Sequence, residues 1–341
     1  MLNYTLRRLI LTIPTLLFIS FIIFIIVKLS PSDPTGGLPL TIPPEVREQI
    51  REALGVNKPL MVQYFLWLKQ FFWLEPRIYL EAAFGWDLGT AGETRLISYA
   101  TRSPVMDLIW QRMPQTLWVV GTAYLVGVLI AVPIGVISAY KQYSIFDQTG
   151  TFISMIGFSV PPFFSGVLVI VIFSVLIPTD SFWWLPSIYD TTHEVTDWES
   201  FKYQFRQMIM PVMVLALQIT AQISRFARAS MLDNLNQDYV RTARAKGIRE
   251  RKVVLVHVLR NSMIPVVTVI ALGIPGIFGG AIITEQVFKV NGLGQLLIIA
   301  IQGGDVPTVQ TLTFIFAILI VLFNLVADVL YGLLDPRIRY E

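Results

Sequence analysis

Three observations predict an all-α protein that crosses a membrane about six times: a composition too apolar for water, six apolar windows of spanning length, and basic residues gathered in alternate connections. Of 341 residues, 54% are hydrophobic and 14% charged, with a mean hydropathy of +0.63, values that belong to a polytopic membrane protein. Lipid is the solvent for most of this chain. A hydrocarbon core about 30 Å thick takes roughly 20 apolar residues per helix. The windows that meet this length are approximately Leu9 to Leu29, Gln115 to Ser138, Thr149 to Ile177, Met208 to Phe226, Met263 to Ile283 and Val309 to Leu330.

The first window follows Arg7 and Arg8, as a signal peptide would. Its apolar run is about 20 residues, against roughly 7–15 for a signal core, and Ser30-Pro31-Ser32-Asp33-Pro34 is not a small-residue cleavage site. It reads as a retained helix, so residues 1–29 form the N-terminus and first span, 30–114 an external subdomain, and 115–341 a five-helix core. Within 30–114, Pro43-Pro44 and Glu45 to Leu54, with Gly55 beyond, read as a short helix. Leu60 to Trp73 carries Tyr64, Phe65, Trp67, Phe71 and Phe72 but also Gln63, Lys69 and Gln70, which favours an interfacial helix over a further span. Its aromatic stripe suits packing on the bundle and docking of another protein alike. Pro114 suits the first turn of the second helix, where its missing N–H costs nothing. Pro161-Pro162 in the third window must kink or split that helix.

Lys and Arg set the orientation. With the N-terminus inside, the cytoplasmic side holds Arg7, Arg8, Lys141, nine basic residues from Arg225 to Arg260, Arg337 and Arg339, whereas the short opposite loops hold only Lys202, Arg206 and Lys289. Both termini are predicted to be cytoplasmic. The same opposite side carries Asp180, Asp190, Glu194, Asp197 and Glu199.

Several chemistries are excluded. With no cysteine there is no disulfide framework, thiolate metal site or cysteine nucleophile. His193 and His257 lie in separate predicted loops, which leaves little for a zinc site or a histidine base. No GxxxxGK[ST] is present, so the chain itself holds no P-loop nucleotide. An intramembrane enzyme would need a catalytic set that is missing: there is no HExxH, and Gly303-Gly304-Asp305 is not a G-x-G-D pair on apolar helices. A secondary transporter would need coupling residues at mid-membrane and an inverted repeat. Neither the charge pattern nor any motif points to nucleic acid.

The segment at about 231–260 is the most informative. Asn236 or Asp238 can cap a helix, the run to Lys246 is free of Pro and Gly, and Gly247 suits a left-handed stop. Leu232, Leu235, Tyr239, Ala243 and Lys246 recur at helical spacing, giving a face that needs a groove on its own bundle or a partner. A solvated basic loop is the simpler reading. The order DYVRTARAKG, then HVLRN and Pro265, resembles the coupling loop of bacterial ABC importer permeases of the oligopeptide, dipeptide and nickel type. The resemblance extends to Leu54–Leu68, to Asp87-Leu88-Gly89-Thr90, to Arg112–Leu117 and to Leu334-Asp335-Pro336-Arg337. It is densest from Met113 onward. The general importer loop has Glu-Ala-Ala, three residues, Gly and a later Leu-Pro; aligned on Gly247, this chain has Arg241-Thr242-Ala243 and Leu259-Arg260, without the glutamate or the proline.

What the resemblance implies is a type I ABC importer permease-like fold in the bacterial inner membrane, acting as a pore subunit and not an enzyme. Its partners would be a second permease, two cytoplasmic ATPases that bind ATP and magnesium, a solute-binding protein and membrane lipid. No cofactor is implied in this chain. Tyr239, Ala243 and Gly247 would form the ATPase-contact core, with Arg241, Arg244 and Arg260 as salt-bridge candidates. Peptides are the implied cargo, and nickel chelates, glutathione and oligosaccharides are carried by similar permeases.

Polar groups inside spans are functional candidates. Gln218 and Gln222, four apart on the fourth span, and Asn324 in the sixth either line a polar path or bond between helices. Asp328 and Glu285 lie near span ends, where hydration is expected. Gly273, Gly276, Gly279 and Gly280 permit close helix approach, and Gly292 and Gly294 read as turn-formers in an external loop.

Overall fold

The computed structural model describes residues 2–29, 41, 43–53, 55–190, 192–279 and 281–334, excluding the side chains of 2–6, 53, 278, 279 and 330–334. Gly280 and the segments 30–34 and 335–339, on which some expectations rest, lie outside the described residues. Twelve helices account for nearly all the regular structure described: α1 (Leu2–Leu29), α2 (Pro44–Ala53), α3 (60–84), α4 (Val105–Tyr140), α5 (Ile145–Ser159), α6 (Pro162–Val175), α7 (Trp198–Leu235), α8 (Asp238–Ala245), α9 (250–279), α10 (Ile282–Phe288), α11 (Leu293–Gln302) and α12 (Val306–Leu334). Among the described residues, five of these are long and apolar enough to cross a membrane, or six if the bent pair α5 and α6 is counted as one broken span.

That pair meets at 104°. Val160 ends α5 in an extended conformation and Pro161 is extended before Pro162 opens α6, because a residue preceding proline is kept out of the helical region. The double proline therefore splits the span.

Two boundaries differ from the sequence reading. The second span starts at Val105, so Pro114 lies inside α4, not at its first turn. The backbone bond that proline cannot make is followed by a π-helical turn at Leu117–Gly121, a one-residue widening that continues the helix. Similar turns interrupt α3 at Gln70–Leu74 and α9 at Val253–Val258, and one ends α6 at Val171–Val175. His257 sits in the last of these and so belongs to a helix, not a loop. The fifth span ends at Gly279, and Ile283 lies in the separate helix α10.

The chain divides into two compact units. One comprises the N-terminal residues to Leu9, Pro114–Gln295 and the chain from Leu319 on; the other comprises Ile10–Met113 and Leu296–Ile318.

In the first unit the principal contact is α4 against α7. Ala123, Gly127, Ala131, Gly135 and Ala139 recur every four residues on α4 and all are buried. A Cβ on Gly135 would stand 2.6 Å from the Ala227 Cβ and 2.6 Å from the Ser224 carbonyl oxygen, and one on Gly127 would stand 2.7 Å from Ile219. Thr220 Oγ1 donates to the Gly127 carbonyl at 3.1 Å. Lipid tails are as apolar as leucine, so close backbone packing and such hydrogen bonds hold membrane helices together. Gly273 of α9 meets Tyr124 in the same manner, and the Tyr124 hydroxyl donates to the Ile270 carbonyl.

A buried carboxylate fixes the segment after α9. Glu285 of α10 is 1% exposed, contrary to the expected hydration. Its Oε1 accepts the Thr116 hydroxyl at 2.9 Å and its Oε2 the Gln295 amide at 2.9 Å, while Thr116 Oγ1 accepts the Leu293 amide at 2.7 Å. Gly292 and Gly294 have no left-handed backbone. They leave room for this carboxylate, since a Cβ at Gly292 would overlap Glu285 Oε1 and Thr116 Oγ1.

In the second unit α3 is longer than the predicted interfacial stretch. Tyr64, Trp67 and Leu74 are buried, while Met61, Phe65, Phe72 and Trp73 are exposed on the other face. Trp67 and Phe71 make edge contacts with Phe314, and Trp67 Nε1 donates to Thr311 Oγ1 at 3.2 Å. Asp305 accepts the Tyr99 amide at 2.9 Å and the hydroxyls of Ser98 and Thr308. The Asp87-Leu88-Gly89-Thr90 tetrapeptide is a turn clamped from α3: Glu81 Oε1 accepts the amides of Leu88 and Thr90, and Oε2 accepts the Thr90 hydroxyl.

Two outcomes follow. Gly135→Val is expected to destabilise the detergent-solubilised protein by about 1–3 kcal/mol, seen as a lower thermal midpoint, whereas Gly276→Ala, with open space at its Cβ, leaves the midpoint nearly unchanged. The Thr90 hydroxyl holds the Glu81 carboxyl below its ordinary value of 4.5. The clamp is therefore complete above pH 4.5 and is lost as pH falls through the lowered folded value. Hydrogen exchange at the Leu88 and Thr90 amides should accelerate over that acid range in the wild type; rates that follow only the intrinsic pH dependence would contradict the clamp.

Candidate functional site

The basic segment singled out in the sequence begins as a continuation of a span. At 1.5 Å per residue, the 38 residues of α7 extend about 57 Å, well beyond a hydrocarbon core of about 30 Å. The helix therefore projects beyond such a core. The helix ends at Leu235, and the connection proper is residues 236–249, shorter than the expected 231–260.

Neither proposed cap forms. The N-cap of α8 is Gln237, without a side-chain cap bond; Asn236 Nδ2 instead donates to the Leu232 carbonyl at 3.1 Å. Asp238 is the first helical residue, where its charge complements the N-terminal dipole. The stop is as expected: Gly247 has φ +74°, its amide donates to Arg244 O at 2.9 Å, and the Ile248 amide donates to Ala243 O.

The buried face of α8 consists of Val240 and Ala243, 0% and 8% exposed. They join Val136 and Ala139 of α4, Met231 of α7, and Val253, Val254 and Val258 of α9 in one apolar cluster, flanked by Leu232, Leu235 and Ile248. This corrects the predicted face. The break at 236–237 moves Leu232 and Leu235 onto α7, and Tyr239 and Lys246 point away from the cluster, exposed. Ala243, expected among the partner-contact residues, is occupied by its own bundle.

Outward from that seat stand Tyr239, at 37% exposure, with Arg241, Arg244, Lys246 and Gly247. The Tyr239 hydroxyl donates to Asn234 Oδ1 at 3.0 Å, setting the ring against the end of α7. Arg244 is bidentate to Glu250, at 3.1 and 2.7 Å, and this hydrogen-bonded carboxylate raises its guanidinium above the usual range. The pair closes the loop onto the start of α9. Arg241 approaches Asp238 at 3.5 Å with both side chains exposed, a contact of small worth. Arg260 is exposed further along α9. The structure thus gathers Tyr239, Arg241, Ala243 and Arg244 on one short helix, places Gly247 in the turn that ends it, and leaves Arg260 on another helix.

One anchor was missed. Arg228 of α7 is bidentate to Asp147 of α5, at 2.7 and 2.8 Å, and Asp147 also accepts the Tyr143 amide at 2.9 Å. Asp147 is buried. Arg228 was one of nine basic residues in a run, and only the break after α4 brings Asp147 beside it. The intramembrane candidates differ in setting. Gln218 is half-buried on α7, Gln222 and Asn324 are exposed, and Asp328 pairs with Arg8.

The described residues thus form a set of apolar helices of spanning length with a basic, outward-facing helix after the longest of them. The chain belongs to the family described as binding-protein-dependent transport system inner membrane component, which matches residues 131–340, and the N-terminal model of the same systems matches residues 1–120. Members are permease subunits of ABC importers and not enzymes, and this chain is accordingly a multi-pass inner membrane protein. Among its relatives, the oligopeptide transport system permease protein AppB of Bacillus subtilis is 37% identical over 99% of each chain. The glutathione transport system permease protein GsiC is 37% identical in Escherichia coli O6:H1 and 36% identical in Salmonella typhimurium, over the full length of both chains.

Because Val240 is sealed into the seat, Val240→Asn places an amide among valines. The expected cost is about 2–4 kcal/mol, released by local detachment. Hydrogen exchange across 238–247 should rise in this variant while α4 and α7 stay protected. Unchanged exchange would mean that α8 is held by something other than the cluster.

Proposed function

We propose that the chain is one half of a paired translocation pore in an ATP-driven importer, passing peptides or similar solutes delivered by a solute-binding protein. The observation that carries this is the division of α8 and the turn after it into a sealed apolar face and an outward face of Tyr239, Arg241, Arg244, Lys246 and Gly247. A helix of eight residues has no stability alone in water; seated in this way it becomes a rigid lever between a partner groove and the bundle. The partner is a cytoplasmic ATPase, with two such subunits serving two permeases, and ATP and magnesium bind there. The connection and both termini then lie on the cytoplasmic side, in keeping with the nine basic residues from Arg225 to Arg260.

Closure of the ATPases draws the α8 levers together. Force enters through Tyr239 and the Gly247 turn, crosses Val240 and Ala243 into the shared cluster, and reaches α4, α7 and α9, which turn to open the outer face. Arg244 acts within the chain, through Glu250, and Ala243 acts as the seat. Of the three arginine candidates, Arg241 and Arg260 are left for contact with the ATPase.

Gln218 and Gln222 lie on a face of α7 that the chain leaves partly uncovered, and Asn324 is exposed on α12. Amides facing lipid are costly. Their place is beside a polar path completed by the second permease. Glutathione, itself a short peptide, is a second cargo reading, favoured by the resemblance to GsiC; nickel chelates and oligosaccharides are further alternatives, and a stand-alone secondary transporter is the less favoured one.

Affinity purification of the tagged chain from detergent extract tests the assembly. Wild type is expected to bring down a second permease and an ATPase, and Tyr239→Asp and Gly247→Asp to lose about tenfold or more of the ATPase while retaining the permease. Recovery of wild type alone, or only with copies of itself, would overturn the importer reading.

A further inference from the structure

The second unit contains a cavity that the transport reading does not use. It holds about 590 Å³, within the range of small-molecule sites. Its walls come from the end of α1 (Phe24, Lys28), from α3 (Gln63, Trp67, Leu74), from Lys58 before it, from the 93–97 segment, and from Gln310 of α12.

The charge of these walls is unbalanced. Lys28, Lys58, Lys69 and Arg95 line the cavity, with Glu93 as the one carboxylate among the described lining residues. Lys69 and Glu93 pair at 3.0 Å, and Arg95 is taken by Glu75 at 2.7 Å and Asp107 at 2.9 Å. Lys28 and Lys58 have no carboxylate partner among the described residues. The Lys28 ammonium lies 6.0 Å from the centre of the Phe24 ring. In the same wall Gln310 is 3% exposed, and its Nε2 makes no hydrogen bond among the described residues.

Position selects the anion. Lys28 is the penultimate residue of the apolar helix α1, so it marks the height at which hydrocarbon gives way to head groups. Leu66, which is exposed, and Ile97, which is half-buried, supply an accessible apolar wall. We propose that this cavity binds the phosphate of a membrane phospholipid, with Lys28 and Lys58 as its cationic partners and Leu66 and Ile97 against the glycerol and first acyl carbons.

The full-length chain, purified in dodecyl maltoside after reconstitution in phosphatidylglycerol nanodiscs, provides the test by native mass spectrometry. Wild type is expected to retain one phospholipid per chain. The Lys28→Gln, Lys58→Gln double variant should lose about tenfold in occupancy, as for two charge-assisted contacts removed. Lys28→Arg, Lys58→Arg keeps both charges, and its retention of the lipid separates loss of binding from misfolding. Equal occupancy in wild type and the glutamine variant would overturn the proposal. Millimolar inorganic phosphate distinguishes the source: a lipid that stays bound supports the assignment, and a lipid replaced by a phosphate adduct overturns it in favour of a soluble phosphate.

Discussion

Close approach of α4 and α7 is the constraint on which the first unit depends. Gly127 and Gly135 bring backbones together where a single methyl group would not fit, and the alanines between them keep the stripe flat. In water such a surface would contribute little, because it buries few carbons. Between lipid tails, where apolar area has no preference for protein over solvent, contact distance decides. The ion pair from Arg228 to Asp147 and the cluster around Val240 both rest on α7, so their geometry follows from this one contact.

Buried polar groups do a different job. Glu285 accepts the Thr116 hydroxyl and the Gln295 amide, Thr116 accepts the Leu293 amide, and Gly292 leaves room for the carboxylate. A buried carboxylate is tolerated only when it is bonded in this way. The arrangement fixes the return from α10 to α11 without a hydrophobic core of any size. Asp305 does the same for Ser98, Tyr99 and Thr308 in the second unit. Both carboxylates bind a backbone amide as well as at least one side-chain hydroxyl.

Much of this was legible beforehand, for physical reasons. Long apolar runs announce spans because lipid leaves the backbone no alternative to helix, and Pro161-Pro162 announced the split because proline acts on its own bonds. Gly247 was legible as a stop because a left-handed residue is a local property. The failures concern what lies across space. Glu285 reads as an interfacial acid until Thr116, 169 positions away, is brought to it. Whether the face with Ala243 seats on its own bundle or on a partner stays open in the sequence until α4 and α9 supply the valines that cover it. Tyr239, Leu232 and Leu235 share one helical face only if the helix continues through Asn236, and it does not. Pro114 suggested a helix start because a π-helical turn, which has no sequence signature, carries α4 past it.

Those widened turns alter what a sequence position means. Each admits one residue more than an α-helix of the same height, and each residue in an α-helix turns the face by about 100°. Along α4, the turn at Leu117–Gly121 lies just before the Ala123 to Ala139 stripe. Loss of one residue there would leave composition, length and apolarity almost untouched, yet would swing the small residues off α7 and put larger neighbours in their place. For this chain, a family alignment gapped inside a span is therefore a change of rotational phase, and two sequences that differ by one such gap can present different faces to the same neighbour.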